Sequence, residues 1–230
     1  MSKRLLTGCY WPARDESIEV RAQRTSAVLQ SLSRCDAALS RWFEKAYSLK
    51  KALTLEFSPT PEKLREMISK KYSELFSAWT GQRDNEEGAA LSVLEGNSGL
   101  SPSTCMLDMS STGSLWARVG TATGLAAILR CMALAWDPEW GIATSHQYWN
   151  SLSPRPELGE FTGWVTYYSR GWGIVPPLPA PTRIEPVEDK GTLVILTPER
   201  FSMDNPEHVD HAARVNELLK RAGLLKRISK

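Results

Sequence analysis

The chain has three histidines, and two of them, His208 and His211, lie three residues apart in a segment with helical periodicity. Histidines at this spacing share one face of a helix and can supply two ligands to a metal ion. The sequence provides no third ligand at a recognisable spacing, and its four cysteines form no CxxC pair. We therefore expect no metal site and no cofactor.

The sequence patterns of common catalytic sites are also incomplete. Residues 95–99 (EGNSG) lack the glycine spacing of a hydrolase nucleophile elbow. Residues 120–124 (GTATG) lack both the GxGxxG pattern and the lysine of a P-loop. These observations predict a protein that is not an enzyme. A metal-dependent hydrolase, built from Asp, Glu and His residues scattered along the chain, stays open as an alternative.

One short segment favours recognition over acid–base chemistry. Asp137 and Glu139 flank Pro138, and this acidic turn is bracketed by Trp136 and Trp140. Aromatic side chains dominate the energetics of protein interfaces and can also anchor neighbouring charged groups. The segment therefore predicts a protein-binding patch. The alternative is that both tryptophans are core anchors and both acids are solvated ends of secondary structure.

The composition of the chain excludes several classes of partner. Its 230 residues carry 28 Lys and Arg against 26 Asp and Glu, and a formal net charge of +2 is too small for general binding to nucleic acid phosphates. The longest apolar run, residues 125–136, is shorter than the roughly 20 residues that cross a bilayer. We thus expect no direct contact with nucleic acid or membrane. Since the cysteines lie far apart in apolar segments, we expect reduced thiols: Cys9, Cys35, Cys105 and Cys131.

The elements that position these residues follow from hydrophobic periodicity and capping signals. Apolar residues at three- and four-residue steps predict a long helix from about Ser17 to Leu49 and a second from Pro61 through Phe76. A nearly all-apolar segment predicts a buried central helix over 119–136, and Asp204 or Asn205 caps a final helix that stops at Gly223. Alternating or continuous apolar runs predict strands at residues 4–11, 89–94, 104–109, 140–145, 164–169 and 192–197.

These elements predict an α+β fold in a single domain over residues 1–230. Its antiparallel or mixed β-sheet is flanked by the long N-terminal helix, the second helix, the buried central helix and the C-terminal helix.

Several segments together carry a family resemblance, in order and across nearly the whole chain from Leu5 to Leu225. They are Gly8–Trp11 with Arg14 and Glu16, Arg41–Lys45, Trp136–Gly141, Gly163–Tyr167, and Thr197–Phe201 followed by Asn205–Val209. In these segments the chain resembles the immunity protein 52 family of bacterial polymorphic-toxin systems.

The resemblance implies a cytoplasmic bacterial antitoxin that is encoded beside a secreted toxin and neutralises it by binding, without an active site, metal or cofactor. In such systems the toxin is often a type VI secretion effector whose DNase domain has a restriction-endonuclease fold. The basic groove of a nuclease would be complemented by acidic side chains on a rigid aromatic scaffold. An adaptor or chaperone that loads an effector onto the secretion machinery is the alternative.

We rank the candidate contacts with the toxin. Asp137 and Glu139 come first, with Trp136 and Trp140 fixing their positions. The remaining candidates lie just after the first strand and beside Phe201: Arg14, Glu16 and Arg200.

Overall fold

Strands with alternating side chains build one ten-stranded sheet in the computed structural model, which describes residues 5–70, 75–84, 86–96, 100–152 and 154–228. Its strand order is β3-β2-β4-β5-β6-β1-β7-β8-β10-β9, and every neighbouring pair is antiparallel. The strands are β1 (Leu5–Trp11), β2 (Trp42–Glu44), β3 (Glu56–Phe57), β4 (Leu75–Trp79), β5 (Ala89–Leu94), β6 (Ser103–Met109), β7 (Trp140–Ser145), β8 (Val165–Ser169), β9 (Arg183–Val187) and β10 (Gly191–Ile195).

Several of the helices begin at side-chain caps that the sequence supplies. Oxygen atoms of Ser17, Thr121 and Asn205 accept backbone N–H groups in the first turn of their helices, which satisfies donors that have no partner within the helix. The helices are α1 (Ile18–Leu32), α2 (Leu49–Ala52), α3 (Pro61–Lys70), α4 (Gly113–Val119), α5 (Ala122–Trp136), α6 (His146–Ser151) and α7 (Pro206–Arg221).

One face of the sheet is covered by α1, α3 and α5. Helix α5 lies across β1, β7, β8 and β10 and also packs against α1. Leu125, Leu129 and Met132 of α5 are almost completely buried in this layer. The prediction of a buried central helix is therefore confirmed.

The opposite face is covered only in part. Helices α6 and α7 enclose a second apolar cluster, which includes Tyr10, Trp140, Tyr168 and Val215. Within the described residues, this cluster takes no member from β4 or β5. Side chains of β4, β5 and β6 on that face are only half-buried, and we call this region the open sheet face: Ser77, Trp79, Ser92, Leu94 and Met106.

The α+β class and the sheet are confirmed, but the first predicted helix was too long. Helix α1 ends at Leu32, and Trp42 and Phe43 belong to β2 instead of a helix. Their apolar side chains match helical spacing, yet in the sheet they alternate: Phe43 lies opposite Trp79 of β4, while Trp42 enters the core. Strand pairing with distant residues therefore overrides the local helical pattern.

The second predicted helix was also too long, because β4 begins at Leu75 within its predicted span. Tyr72, a predicted member of its apolar stripe, lies outside the described residues. The predicted central helix begins later than expected, because Val119 ends the separate helix α4 and α5 starts at Ala122, after Gly120. The final helix is confirmed, with Asn205 as its cap and Gly223 at φ 73° just beyond its end.

Among the described residues, no single helix is both long and apolar enough to cross a membrane. Helices α4 and α5 meet that condition only as a pair, and they are bent by 88° relative to each other.

Candidate functional site: the acidic turn

The acidic turn, residues 137–139, connects the buried helix α5 to the central strand β7. Asp137 ends the helix in the left-handed conformation at φ 49° and ψ 55°, and its backbone N–H donates to the carbonyl of Ala133. Asp tolerates this conformation better than most residues, and the following Pro138 cannot continue the helix. The turn is therefore encoded in the local sequence.

The two tryptophans hold the turn from opposite faces of the sheet. Trp136 stacks on Trp11 in the core beneath α5, with ring centroids 4.9 Å apart and planes inclined by 16°. Trp140 is fully buried in the second cluster, 5.6 Å from the ring of Tyr10 and 6.0 Å from that of Phe161. Both rings are thus core anchors that position the turn, and neither is accessible to a partner.

Two arginines donate hydrogen bonds to the carbonyl groups at the C-terminal end of α5. Arg14 Nη1 donates to the carbonyl oxygen of Trp136 at 2.8 Å, and its Nη2 donates to that of Asp137 at 2.5 Å. Arg24 Nη1 donates to the carbonyl oxygen of Ala135 at 2.9 Å. Positive charge at this end of a helix is favourable because the last carbonyl groups carry its negative partial charge.

Glu16 lies between these two guanidinium groups. One of its carboxylate oxygens is 3.1 Å from Arg24 Nη2 and 3.7 Å from Arg14 Nη1, and its side chain is only 16% exposed. Arg14 and Glu16, both predicted as contacts, therefore belong to a clamp that positions the acidic turn. We call Arg14, Glu16 and Arg24 the arginine clamp.

The turn forms one wall of an open cleft of about 290 Å³. The opposite wall comes from the end of β8 and the hairpin between β9 and β10, which contribute Arg170, Asp189 and Lys190. Lys190 Nζ lies 3.6 Å from a carboxylate oxygen of Asp137. Oε2 of Glu139 is buried and has no hydrogen-bond partner.

The cleft places the carboxylates of Asp137, Glu139 and Asp189 against the cations of Arg170 and Lys190. Two of these carboxylates, Asp137 and Asp189, also act on the buried phenol of Tyr167. Burial raises the pKa of that phenol, and the charges of Asp137 and Asp189 raise it further. The cleft therefore carries a small excess of negative charge on a chain that is slightly basic overall.

Asp189 and Lys190 were missed at the sequence level. The hairpin itself was not predicted, because Arg183, Glu185 and Pro186 interrupt any apolar pattern in β9. What brings it to the acidic turn is the order β7-β8-β10-β9, since β8 pairs with both β7 and β10. No local pattern carries that information.

Arg200 lies away from the acidic turn. Its Nε donates to the carbonyl oxygen of Gly120 at 3.2 Å, and its guanidinium lies 5.0 Å from the ring centre of Trp116. Gly120 precedes α5, whereas Asp137 follows it, and a helix of this length spans about 22 Å. The structure therefore separates Arg200 from the other predicted contacts.

The histidine pair of α7 has separate hydrogen-bond partners. His208 Nδ1 accepts the backbone N–H of Ser202, and its Nε2 lies 3.5 Å from the carboxylate of Glu199. His211 Nε2 lies 2.7 Å from Thr182 Oγ1, and burial lowers the pKa of His211. In the part of the chain that the structure describes, no three His, Cys, Asp or Glu side chains are placed to hold a metal ion.

Comparison with known proteins yields a family and a fold. The family model described as Immunity protein 52 matches residues 4–228. The solved structure of the Pseudomonas aeruginosa T6SS protein PA0821 is similar with a TM-score of 0.55 and 13% identity, covering 96% of this chain and 76% of that one. At that identity the likeness concerns the fold. A search of the curated proteins finds no match.

Proposed function

This chain belongs to the immunity protein 52 family, and on that basis we propose that it binds and neutralises a cognate secreted nuclease toxin. The observation that carries the proposal is the family match over nearly the whole chain, which supports an immunity role. Such a role is performed by stoichiometric binding and requires no catalysis.

The proposed toxin is a type VI secretion effector with a restriction-endonuclease-fold DNase domain, encoded by an adjacent gene. The fold shared with a T6SS protein supports the link to that secretion system. The proposed immunity domain covers residues 1–230 and acts in the bacterial cytoplasm, where it protects the producing cell and its kin.

We place the toxin contact at the acidic turn and its cleft. A nuclease groove that binds phosphates is basic, so the carboxylates of Asp137, Glu139 and Asp189 complement it and speed association. The stacked tryptophan and the arginine clamp hold the backbone of the turn before binding. Less conformational freedom is then lost when the complex forms.

Reversing charge in the cleft tests this placement. Asp189 is exposed, and Asp189→Lys changes the charge without removing a side-chain hydrogen bond within the described part of the chain. Asp137→Asn keeps a residue that tolerates the left-handed conformation. We expect the double variant to associate with the toxin about tenfold more slowly at low salt, with a smaller effect at high salt. Asp210→Lys is the matched control, because Asp210 is an exposed aspartate of α7 that lines a different cleft.

Growth and chromosomal DNA integrity are then measured in cells that express the adjacent toxin, with and without each variant, alongside co-purification of the pair. Rescue with a stable complex supports immunity, and slower association with weaker protection in the double variant, but not in the control, supports the acidic turn. Normal binding by the double variant, together with loss of binding in Ser92→Arg, would move the interface to the open sheet face. A complex without rescue would indicate an adaptor, and rescue without a complex would indicate an enzyme.

A further inference from the structure

Two cysteines from distant parts of the chain meet beside α5. Cys35 follows the end of α1, Cys131 lies in the middle of α5, and their sulfur atoms are 3.7 Å apart. Both side chains are half-buried and line an open cleft of about 360 Å³. A small solute can therefore reach the two sulfur atoms from solvent.

The cleft carries an excess of positive charge. Arg34, Arg130 and Arg183 line it together with the two cysteines. Glu185 also lines it, and pairs with Arg130 at 3.2 Å and with Arg183 at 3.4 Å. The hydrogen-bonding contact with Cys35 lowers the pKa of the Cys131 thiol, and the charges of Arg34 and Arg130 lower it further. The same contact raises the pKa of Cys35. The pair thus has the arrangement of a reactive thiolate beside a second thiol.

The other two cysteines provide an internal comparison. Cys9 and Cys105 lie directly opposite each other on β1 and β6, so they too are neighbours. Both are buried in the core, where burial raises the pKa of Cys9. Proximity is common to the two pairs, whereas among the four free cysteines it is Cys35 and Cys131 that are half-buried and line a cleft open to solvent.

We propose that Cys35 and Cys131 are a site of reversible oxidation, at which hydrogen peroxide converts the two thiols into an intramolecular disulfide. The Cys131 thiolate attacks one peroxide oxygen, the O–O bond breaks, and the departing hydroxide takes up a proton to give water. The sulfur is then a sulfenic acid. The Cys35 sulfur attacks it, the S–S bond forms, the S–O bond breaks, and the hydroxide leaves as water with the proton of Cys35. Two thiols are oxidised, and one peroxide is reduced to two waters.

The resulting bond links the end of α1 to the helix that carries the acidic turn. The two residues are 96 positions apart in the chain. A cross-link over so long a loop restricts the unfolded chain, so the oxidised protein should be the more stable form. A thiol reductant reverses the change, because thiolates exchange with accessible disulfides.

The purified full chain is treated with increasing concentrations of hydrogen peroxide. It is then unfolded in denaturant in the presence of an alkylating reagent, which labels every remaining free thiol. We expect two of the four thiols to be lost, peptide mapping to join Cys35 to Cys131, and Cys9 and Cys105 to remain alkylatable. The oxidised protein should have a higher Tm, and dithiothreitol should restore four thiols and the original Tm. A link between Cys9 and Cys105, conversion of Cys131 to sulfinic acid in place of a disulfide, or retention of all four thiols would overturn the proposal.

Two single variants test the order of steps. In Cys35→Ser, the sulfenic acid on Cys131 has no resolving thiol and should be trapped by dimedone. In Cys131→Ser, Cys35 should show little dimedone labelling at the same peroxide concentration. Equal labelling of the two variants would contradict the assignment of Cys131 as the attacking thiolate.

Discussion

Replacing Arg14 with alanine removes the side chain that joins the start of the chain to the end of α5. Arg14 donates two hydrogen bonds to the carbonyl oxygens of Trp136 and Asp137, and its guanidinium lies 5.7 Å from the ring centre of Trp11. Hydrogen bonds from a charged group contribute about 1.5 to 3 kcal/mol each. Since the side chain is 28% exposed, solvent screening favours the lower end of that range.

We therefore expect Arg14→Ala to lower the free energy of unfolding by about 2 to 3 kcal/mol, because water regains only part of the lost hydrogen bonding at the half-buried turn. Arg14→Lys should cost about half as much, since an ammonium keeps the charge but lacks the fork that reaches both carbonyls. The measurement is urea denaturation monitored by tryptophan fluorescence. The dependence of the unfolding free energy on urea concentration, the m-value, should be the same in the variants and the wild type.

Arg65→Ala is the matched control. Arg65 lies on α3, is 61% exposed and pairs with Glu19 at 3.5 Å, so its loss should change the free energy of unfolding by less than about 0.5 kcal/mol. If Arg14→Ala were as mild as Arg65→Ala, the arginine clamp would not stabilise the end of α5. The positioning role given to Arg14 would then be refuted.

Two further predictions concern the layers around α5. Arg118 donates two hydrogen bonds to Asp36, at 2.6 and 2.9 Å, and holds the pKa of that carboxyl below its usual range. The Asp36 carboxylate therefore stabilises the fold above the ordinary carboxyl pKa, and this contribution is lost as pH falls through the depressed pKa of the folded state. Denaturation at neutral and acidic pH should thus show wild type losing more stability than Asp36→Asn, and parallel losses would contradict the assignment. Leu129→Ala should lower the free energy of unfolding in urea by about 2 to 5 kcal/mol, because the Leu129 side chain is buried. Leu134 lies on the same helix and is 38% exposed, so Leu134→Ala should lower it far less. Equal losses would show that α5 is not a buried layer.

Much of the fold was predictable because its signals are local. Ala89–Leu94 and Ser103–Met109 show the alternation of a half-buried strand, and the structure pairs them residue by residue. The caps at Thr121 and Asn205 act on backbone groups within a few residues. The short strands β2, β3, β4 and β9 were missed, because a strand of two to five residues gains much of its stability from its neighbours in the sheet.

The candidate site divides in the same way. The sequence alone determined that α5 ends at Trp136, that Asp137 and Pro138 turn the chain, and that acids stand between two large aromatic residues, because caps, turns and periodicity act over a few residues. The tertiary structure decided that both tryptophans are buried on opposite faces of the sheet and that Arg14 reaches carbonyls 122 and 123 positions away. It also brought Asp189 to the acidic turn and separated Arg200 from it. These relations depend on strand order and helix packing, which arise from contacts between residues far apart in the chain.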